Sequence, residues 1–397
     1  MDESGEQKLA EMNDRIASEG KRVLGLAFRW CDDVPQSETP EEVEHGFVFL
    51  GMAGLIDPPR VEARDAVGQC VSAGIRPVMI TGDHPMTARS IAEVVGIGGD
   101  GLWMTGREIE AASEDELRRT VEEVSIYARV APEHKLRIVD ALQSMGHIVA
   151  MSGDGVNDAP ALKSADIGVA MGITGTDVSK DASDTVLLDD NFATIVGSVE
   201  EGRVIYDNIR KFLKYTMTSN TGEIWVMLVA PFFGMPLPLV PLQILWINLV
   251  TDGVPGLAMA VEPGERNVMR RPPRDPNEPI FDSQTIRHIL VIGILMGMVS
   301  LLAGYAYWLA IPTAEYDSSW GTIVFTVLTL SQMGHALAVR STRDSLFTIG
   351  VFSNLPMIVS VAVTLGLQLT LIYTPFLQTL FKTTALSVGE LALCLLL

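Results

Sequence analysis

The sequence predicts a soluble α/β domain followed by an α-helical transmembrane bundle, and three observations carry that expectation. Mean hydropathy over the 397 residues is +0.27, high for a soluble chain. Up to about Asn208, short apolar runs alternate with amphipathic stretches. From Val204 onward the apolar segments are long enough to cross about 30 Å of hydrocarbon.

In the first part, "FVFLGMAGLI", "RPVMI", "HIVAM" and "IGVAM" read as strands bounded by turn residues, while "ARDAVGQCVSAG" and "EHKLRIVDALQSMG" read as helices. Strands alternating with helices predict a parallel sheet covered on both faces. In the second part, segments near 212–234, 237–261, 286–311, 319–339 and 351–373 are candidate spans. A sixth begins near Ser387 and stops at Leu397, too soon to cross, so the sequence is expected to be cut short there. Arg203, Arg210, Lys211 and Lys214 precede the first span; Arg266, Arg270, Arg271, Arg274 and Arg287 separate the second from the third; Arg340 and Arg343 separate the fourth from the fifth. The opposite connections hold "GMPLP", the acidic "IPTAEYDSSW" and a loop with the single Lys382. The positive-inside rule therefore puts the basic loops and the α/β domain in the cytoplasm.

Composition narrows the function classes. A formal charge of −20, from 49 acidic against 29 basic residues, argues against a nucleic-acid partner, which needs a basic surface. Cys31, Cys70 and Cys394 are too few and too scattered for a disulfide framework or a zinc site. The charged N-terminal stretch "MDESGEQKLAEMNDRIASEG" has no apolar core of a signal peptide.

Two constellations carry chemistry. In the first span Asn220 and Glu223 lie three apart on one helical face, and in the second Asn248, Thr251 and Asp252 again share one face. An ionised carboxylate in hydrocarbon costs at least about 2.5 to 3.5 kcal/mol. No Lys or Arg follows Lys214 in the first span or lies in the second, so a cation is the expected partner. Carboxylate, amide and hydroxyl oxygens suit a hard ion such as Ca²⁺. Gly253, Pro255 and Gly256 follow at once and are expected to loosen the helix and free carbonyls at membrane depth. The alternative for these polar groups is plain helix-to-helix hydrogen bonding.

In the soluble part, "HIVAMSGDGVNDAPAL" is a strand running into a Gly-rich loop and a helix, where Asp154, Asn157 and Asp158 make a cradle for Mg²⁺ beside a phosphate. "VMITGDHPMTA" repeats the arrangement with Thr81, Gly82 and Asp83 opening a helix. Lys135, in "RVAPEHKLRIV", supplies the positive charge that a transferring phosphoryl group requires. A single GD-containing turn is usually only a turn; three such elements in one domain say more.

"TGDHPMTA", "MSGDGVNDAPALKSADIGVAMG" and "ILWINLVTDG" resemble the C-terminal half of a P-type ATPase of the second, calcium-pump-like class, and the resemblance covers nearly the whole chain. It implies that residues 1–53 are the C-terminal remnant of a nucleotide-binding domain and that 54–203 form a partial haloacid-dehalogenase-like phosphorylation domain lacking its first strand and nucleophile. It also implies that 204–397 are a transmembrane domain of six spans, resembling family helices five to ten, the last truncated. Asp154 resembles the family's Mg²⁺ ligand, with Asn157 and Asp158 beside it, and Lys135 resembles the lysine on the transferred phosphoryl group. Thr81, Gly82 and Asp83 match the hinge motif near the phosphates; Arg22 and Arg129 sit where the family contacts ATP. Asn220, Glu223, Asn248, Thr251 and Asp252 match the ion-site residues of calcium pumps.

The DKTGT motif with its phosphorylated aspartate is absent from this sequence, as are the actuator's TGES and the first four helices. On this reading the chain needs the N-terminal half of the pump to complete a cycle with ATP and Mg²⁺, and is inactive alone. Gln332 stands where two-site calcium pumps carry a glutamate, which favours one transported ion per cycle. The expected cargo is Ca²⁺, with Mn²⁺, Na⁺ or another cation as the alternative; membrane lipid is the surrounding partner. Readings of another class are a membrane-anchored phosphatase and a catalytically silent binding module.

Overall fold

A computed structural model describes residues 3–30, 44–55, 58–99, 101–310, 319–341 and 343–397. Cys31 and most of the acidic "IPTAEYDSSW" connection lie outside the described residues. By packing, the chain forms one unit of residues 1–199 with 269–273 and another of 200–268 with 274–397.

The first unit begins with α1 (Glu3–Ser18), β1 (Arg22–Phe28) and β2 (Val48–Leu55). Here the expectation of one parallel sheet is corrected: β1 and β2 pair antiparallel as a separate two-stranded sheet. The continuous apolar run of β2 reads like a strand buried on both faces, yet Val48, Leu50 and Leu55 are exposed. There follow α2 (Val61–Ser72), β3 (Met79–Ile80), α3 (Pro85–Val95), β4 (Trp103–Thr105), α4 (Gly106–Ala111), α5 (Glu114–Thr120), β5 (Ile126–Ala128) and α6 (Pro132–Ser144). After them come β6 (Ala150–Gly153), α7 (Ala159–Ser164), β7 (Ile167–Met171), α8 (Asp177–Asp181) and β8 (Thr185–Leu187).

The remaining strands are all parallel, as alternation with helices requires, but they form two three-stranded sheets ordered β3-β5-β4 and β6-β7-β8. Helix α6 serves both. Its Ile138, Ala141 and Leu142 pack with Met104, Leu117 and Tyr127, while Val139 packs with Met151, Ala161 and Leu162. Ile80 of β3 and Val149 beside β6 touch both clusters, so one core runs beneath the two sheets.

The second unit contains most of α9 (Phe192–Val229), a 38-residue helix without proline. Next come α10 (Pro241–Trp246), a π turn over Ile247–Thr251 and α11 (Gly253–Ala260). The helices α12 (Ser283–Ala310), α13 (Ser319–Ala338) and α14 (Leu355–Tyr373) are followed by the short α15 (Pro375–Phe381) and α16 (Val388–Leu396). Among the described residues, 241–260, α12, α13 and α14 are long and apolar enough to cross a membrane, which makes four. The expected span at 212–234 is helical to Val229 but falls short in apolarity, because Thr216, Thr218, Ser219, Asn220, Thr221 and Glu223 dilute it.

Expected loosening at Gly253–Gly256 is displaced in the structure. The helix widens one turn earlier, where the Asp252 amide bonds back to the Ile247 carbonyl at 2.8 Å, and regular helix resumes at Gly253. Pro255 has no N–H to give the Thr251 carbonyl four residues back, and the Tyr215 hydroxyl donates to it instead at 2.9 Å.

Backbone contact fixes how α12 meets α9. A Cβ on Gly293 would lie 2.7 Å from the Thr218 carbonyl oxygen, and one on Gly297 2.8 Å from the Gly222 carbonyl oxygen. Only glycine at both places of this G-x-x-x-G pair permits that approach. Gly293→Ala is therefore expected to destabilise the bundle by about 1–3 kcal/mol. Gly366→Ala on α14, where a Cβ meets nothing within 4 Å, should be close to neutral. Thermal unfolding of both variants in detergent checks this; equal stabilities would mean the glycines merely happen to lie there.

Candidate functional site

The loop after β6 is organised by one buried acid. Gly155 caps the short 3₁₀ turn Val156–Asp158, which brings Asp158 back toward its own strand. One Asp158 oxygen accepts from the amides of Asp154 at 3.2 Å and Gly155 at 3.0 Å; the other is ion-paired with Lys135. A Cβ on Gly153 would come within 2.5 Å of the Asp158 Cβ, so the loop closes only over glycine. Asp154, by contrast, is exposed and no hydrogen bond engages its carboxylate among the described residues. Its carbonyl is held by the Thr176 amide at 2.9 Å and the Ser179 hydroxyl at 3.1 Å.

The loop before Thr176 is pinned in turn. Asp190 accepts from the amides of Ile173 at 3.0 Å and Thr174 at 2.7 Å, and these donors hold its carboxyl down to about 2. Sequence reasoning missed Thr176, Ser179 and Asp190, because bonds from a distant loop to a carbonyl leave no spacing signature.

Thr81 and Asp83 form a second turn at the end of β3, with the Asp83 amide donating to the Thr81 hydroxyl at 3.1 Å and Gly82 exposed between them. This turn is bonded to the segment leading into α6: the Val130 amide donates to the Thr81 carbonyl and the Arg129 amide to the Asp83 carbonyl. Lys135 lies one turn into that helix. Thr81, Asp83, Lys135, Asp154 and Asp158 thus belong to one connected frame. Asn157 is exposed on the 3₁₀ turn, and Arg129 joins through its backbone with an exposed side chain at φ 51°. Arg22 begins β1, and its side chain lies outside the described residues.

The second site is the polar cluster of the helical unit. Glu223 and Asp252 are 5% and 2% exposed, and neither is ion-paired with a basic side chain among the described residues. The Glu223 carboxylate accepts from the Asn248 amide at 3.3 Å and from the Gln332 amide at 3.2 Å. Among the described residues neither Asp252 oxygen makes a well-formed hydrogen bond, and the Ser219 and Tyr215 hydroxyls lie close enough to interact with it. The Thr251 hydroxyl, Ser219 hydroxyl and Gln332 amide oxygen are likewise buried without partners. Buried polar atoms are normally paired, so this concentration of unengaged oxygens is itself the signal of a ligand. No hydrogen bond joins Asn220 to the cluster among the described residues. Tyr215 and Ser219 were not singled out in the sequence, although they precede Glu223 at helical spacing on the same face.

Comparisons with known proteins bear on the family of the chain. A family profile described as cation transporting ATPase, C-terminus, matches residues 236–397, and one described as haloacid dehalogenase-like hydrolase matches residues 10–166. The chain is 47% identical to a calcium-transporting ATPase of Bacillus subtilis over 94% of its length, covering 42% of that protein. It is 40% identical to calcium-transporting ATPase 1 of Bacillus cereus, with 100% of this chain and 46% of that one covered. A probable cation-transporting ATPase F of Mycobacterium tuberculosis is 40% identical, covering 95% of this chain and 42% of that protein. The chain therefore spans less than half the length of these relatives.

Two outcomes test the loop geometry. Asp158→Ala strands Lys135 and two amides and should destabilise the soluble unit by about 1–3 kcal/mol, whereas Asp154→Ala should leave its unfolding midpoint nearly unchanged. Equal destabilisation in denaturant titrations would make Asp154 a structural residue. The Asp190 carboxyl is lowered on folding, so its contribution is present above the ordinary aspartate range near 3.8 and is lost as pH falls toward about 2. Amide exchange at Ile173 and Thr174 should accelerate beyond its intrinsic pH dependence across that interval.

Proposed function

Because the chain belongs to the cation-transporting P-type ATPases and is a multi-pass membrane protein, we propose that it is the C-terminal part of an ATP-driven cation pump and that the cargo is Ca²⁺. The observation that carries the reading is the pair of buried acids, Glu223 and Asp252, which among the described residues have no basic partner and stand beside unengaged oxygens. An anchor for a phosphatase has no use for such groups. The donor set is oxygen throughout, which suits Ca²⁺. In the soluble unit, the free carboxylate of Asp154 fits a divalent ion, and Mg²⁺ there would neutralise charge on a transferring phosphoryl group. Asp158 holds Lys135 and the loop amides so that Lys135 can be directed at that group. Thr81 and Asp83 are bonded to the same frame through the segment that leads to Lys135.

Features of the first unit support a longer parent protein. A two-stranded sheet is marginal alone, and β1 and β2 expose Leu24, Leu26, Val48 and Leu50, as the edge of a larger nucleotide-binding domain would. The parallel strands β3 and β6 end separate sheets over one shared core, which suits a further parallel strand between them. Such a strand would also bring a nucleophile beside Asp154 and Lys135. Helix α9, continuous from Phe192 to Val229, is the element through which phosphorylation would reach Glu223.

The parent protein decides the matter. Asp252→Asn should abolish Ca²⁺-activated phosphorylation by ATP, and Asp154→Asn should abolish phosphoenzyme formation at any Ca²⁺ concentration. Gln332→Ala, which removes no charge, should do less. Wild-type Ca²⁺ affinity in Asp252→Asn would show the cation site to be elsewhere. The isolated chain should turn over no ATP above background; a steady rate from purified material would reveal a nucleophile not identified above.

A further inference from the structure

Below the polar cluster the helical unit holds a second buried polar assembly with a different character: its acid is ion-paired with a guanidinium. Glu262 and Arg340, 5% and 1% exposed, face each other with Arg340 Nε at 3.0 Å and an outer guanidinium nitrogen at 2.9 Å from the carboxylate. The guanidinium also donates to the Val351 carbonyl at 3.0 Å and to the Ser353 hydroxyl. Asn354 donates to Glu262 at 2.6 Å and to the Ala258 carbonyl at 3.1 Å. From α9, the Asn208 amide donates to the Glu262 backbone carbonyl at 2.8 Å and accepts from Lys211 at 3.4 Å.

The placement carries the inference. Asn208 and Lys211 stand on α9, the helix of Glu223; Glu262 follows α11, the continuation of the segment with Asp252; Arg340 follows α13, the helix of Gln332. The same three segments meet in both polar assemblies, about two to four helical turns apart. Between them lies an apolar layer of Tyr215, Ala258, Met259, Ala336, Val339 and Met357. Close-packed side chains in that layer transmit a shift of one helix to its neighbours rather than absorbing it.

We infer that the Asn208, Lys211, Glu262, Arg340 and Asn354 assembly is a positioning clasp for the cation site, fixing the axial and rotational setting of the three segments that present Glu223, Asp252 and Gln332. Its members touch no cargo; they act through the helices. A guanidinium with directed donors holds rotation as well as distance, which an ammonium cannot. This inference rests on the reading of the Glu223 and Asp252 cluster as the cation site.

Removing one partner of the buried ion pair risks unfolding, so the test starts from Asn208→Ala, which cuts the tether between α9 and the Glu262 carbonyl and takes the acceptor from Lys211 but leaves the Glu262 and Arg340 pair in place. Arg340→Lys, which keeps charge but loses the directed donors, is the second variant. In the complete protein reconstituted into nanodiscs, both should raise the Ca²⁺ concentration for half-maximal phosphorylation by roughly 3- to 10-fold while saturating Ca²⁺ restores the wild-type phosphoenzyme level. Asp252→Asn, measured alongside, tests the underlying reading by itself. If Asp252→Asn removes Ca²⁺ dependence but both clasp variants, folded by thermal scan, keep wild-type half-saturation, the clasp is structural only and the inference fails. If both clasp variants lose maximal phosphoenzyme level without any shift in half-saturation, it fails as well.

Discussion

Two carboxylates inside a helical bundle constrain the rest of this molecule. Glu223 and Asp252 are buried without a basic partner among the described residues, and a bundle that keeps them must answer them with hydrogen bonds, a proton or a cation. The two acids are not equivalent. Glu223 receives amide N–H groups from Asn248 and Gln332, while Asp252 receives none. Rotating either amide would present oxygen in place of N–H, so on the proposed reading the groups that steady Glu223 are also able to serve as ligands. The π turn serves the same end: by widening the helix it sets Thr251 and Asp252 apart from the regular ladder, and Tyr215 takes up the carbonyl that Pro255 leaves free.

The soluble unit solves a related problem in another way. Of the two acids in its Gly-rich loop, Asp158 is buried and consumed by structure, holding Lys135 and two amides, while Asp154 stays exposed and unengaged. One acid keeps the loop in shape so that the other has a fixed position from which to act. Mutual geometry of this kind is what separates a site from a turn with the same letters.

Much of this was legible in the sequence. The strand "IGVAM" is β7 over Ile167–Met171 as read, and the helix in "EHKLRIVDALQSMG" is α6, because periodicity and turn residues act locally. The candidate acids and Lys135 were found from their neighbours along the chain. What sequence did not give is what depends on distant pairing. The antiparallel β1–β2 sheet reads as a parallel strand, since an apolar run does not say which edge it meets. Likewise the broken parallel sheet, Tyr215 beneath the π turn, and the bonds of Thr176 and Ser179 to the Asp154 carbonyl join residues whose separation in sequence carries no periodic signal.

Buried charge is answered in opposite ways at two levels of the same helices. At the Glu262 and Arg340 level the acid and the guanidinium are paired and hydrogen-bonded, and such an arrangement resists change because displacement strands a charge. The Glu223 and Asp252 level is left unsaturated among the described residues, and a cation there would lower its energy. A site meant to bind and release needs the second condition, and a site whose ligands come from three separate segments needs something like the first to hold them in register. On the proposed reading the two polar levels, separated by one apolar layer, divide the work: one would hold the walls of the cation site and the other would bind.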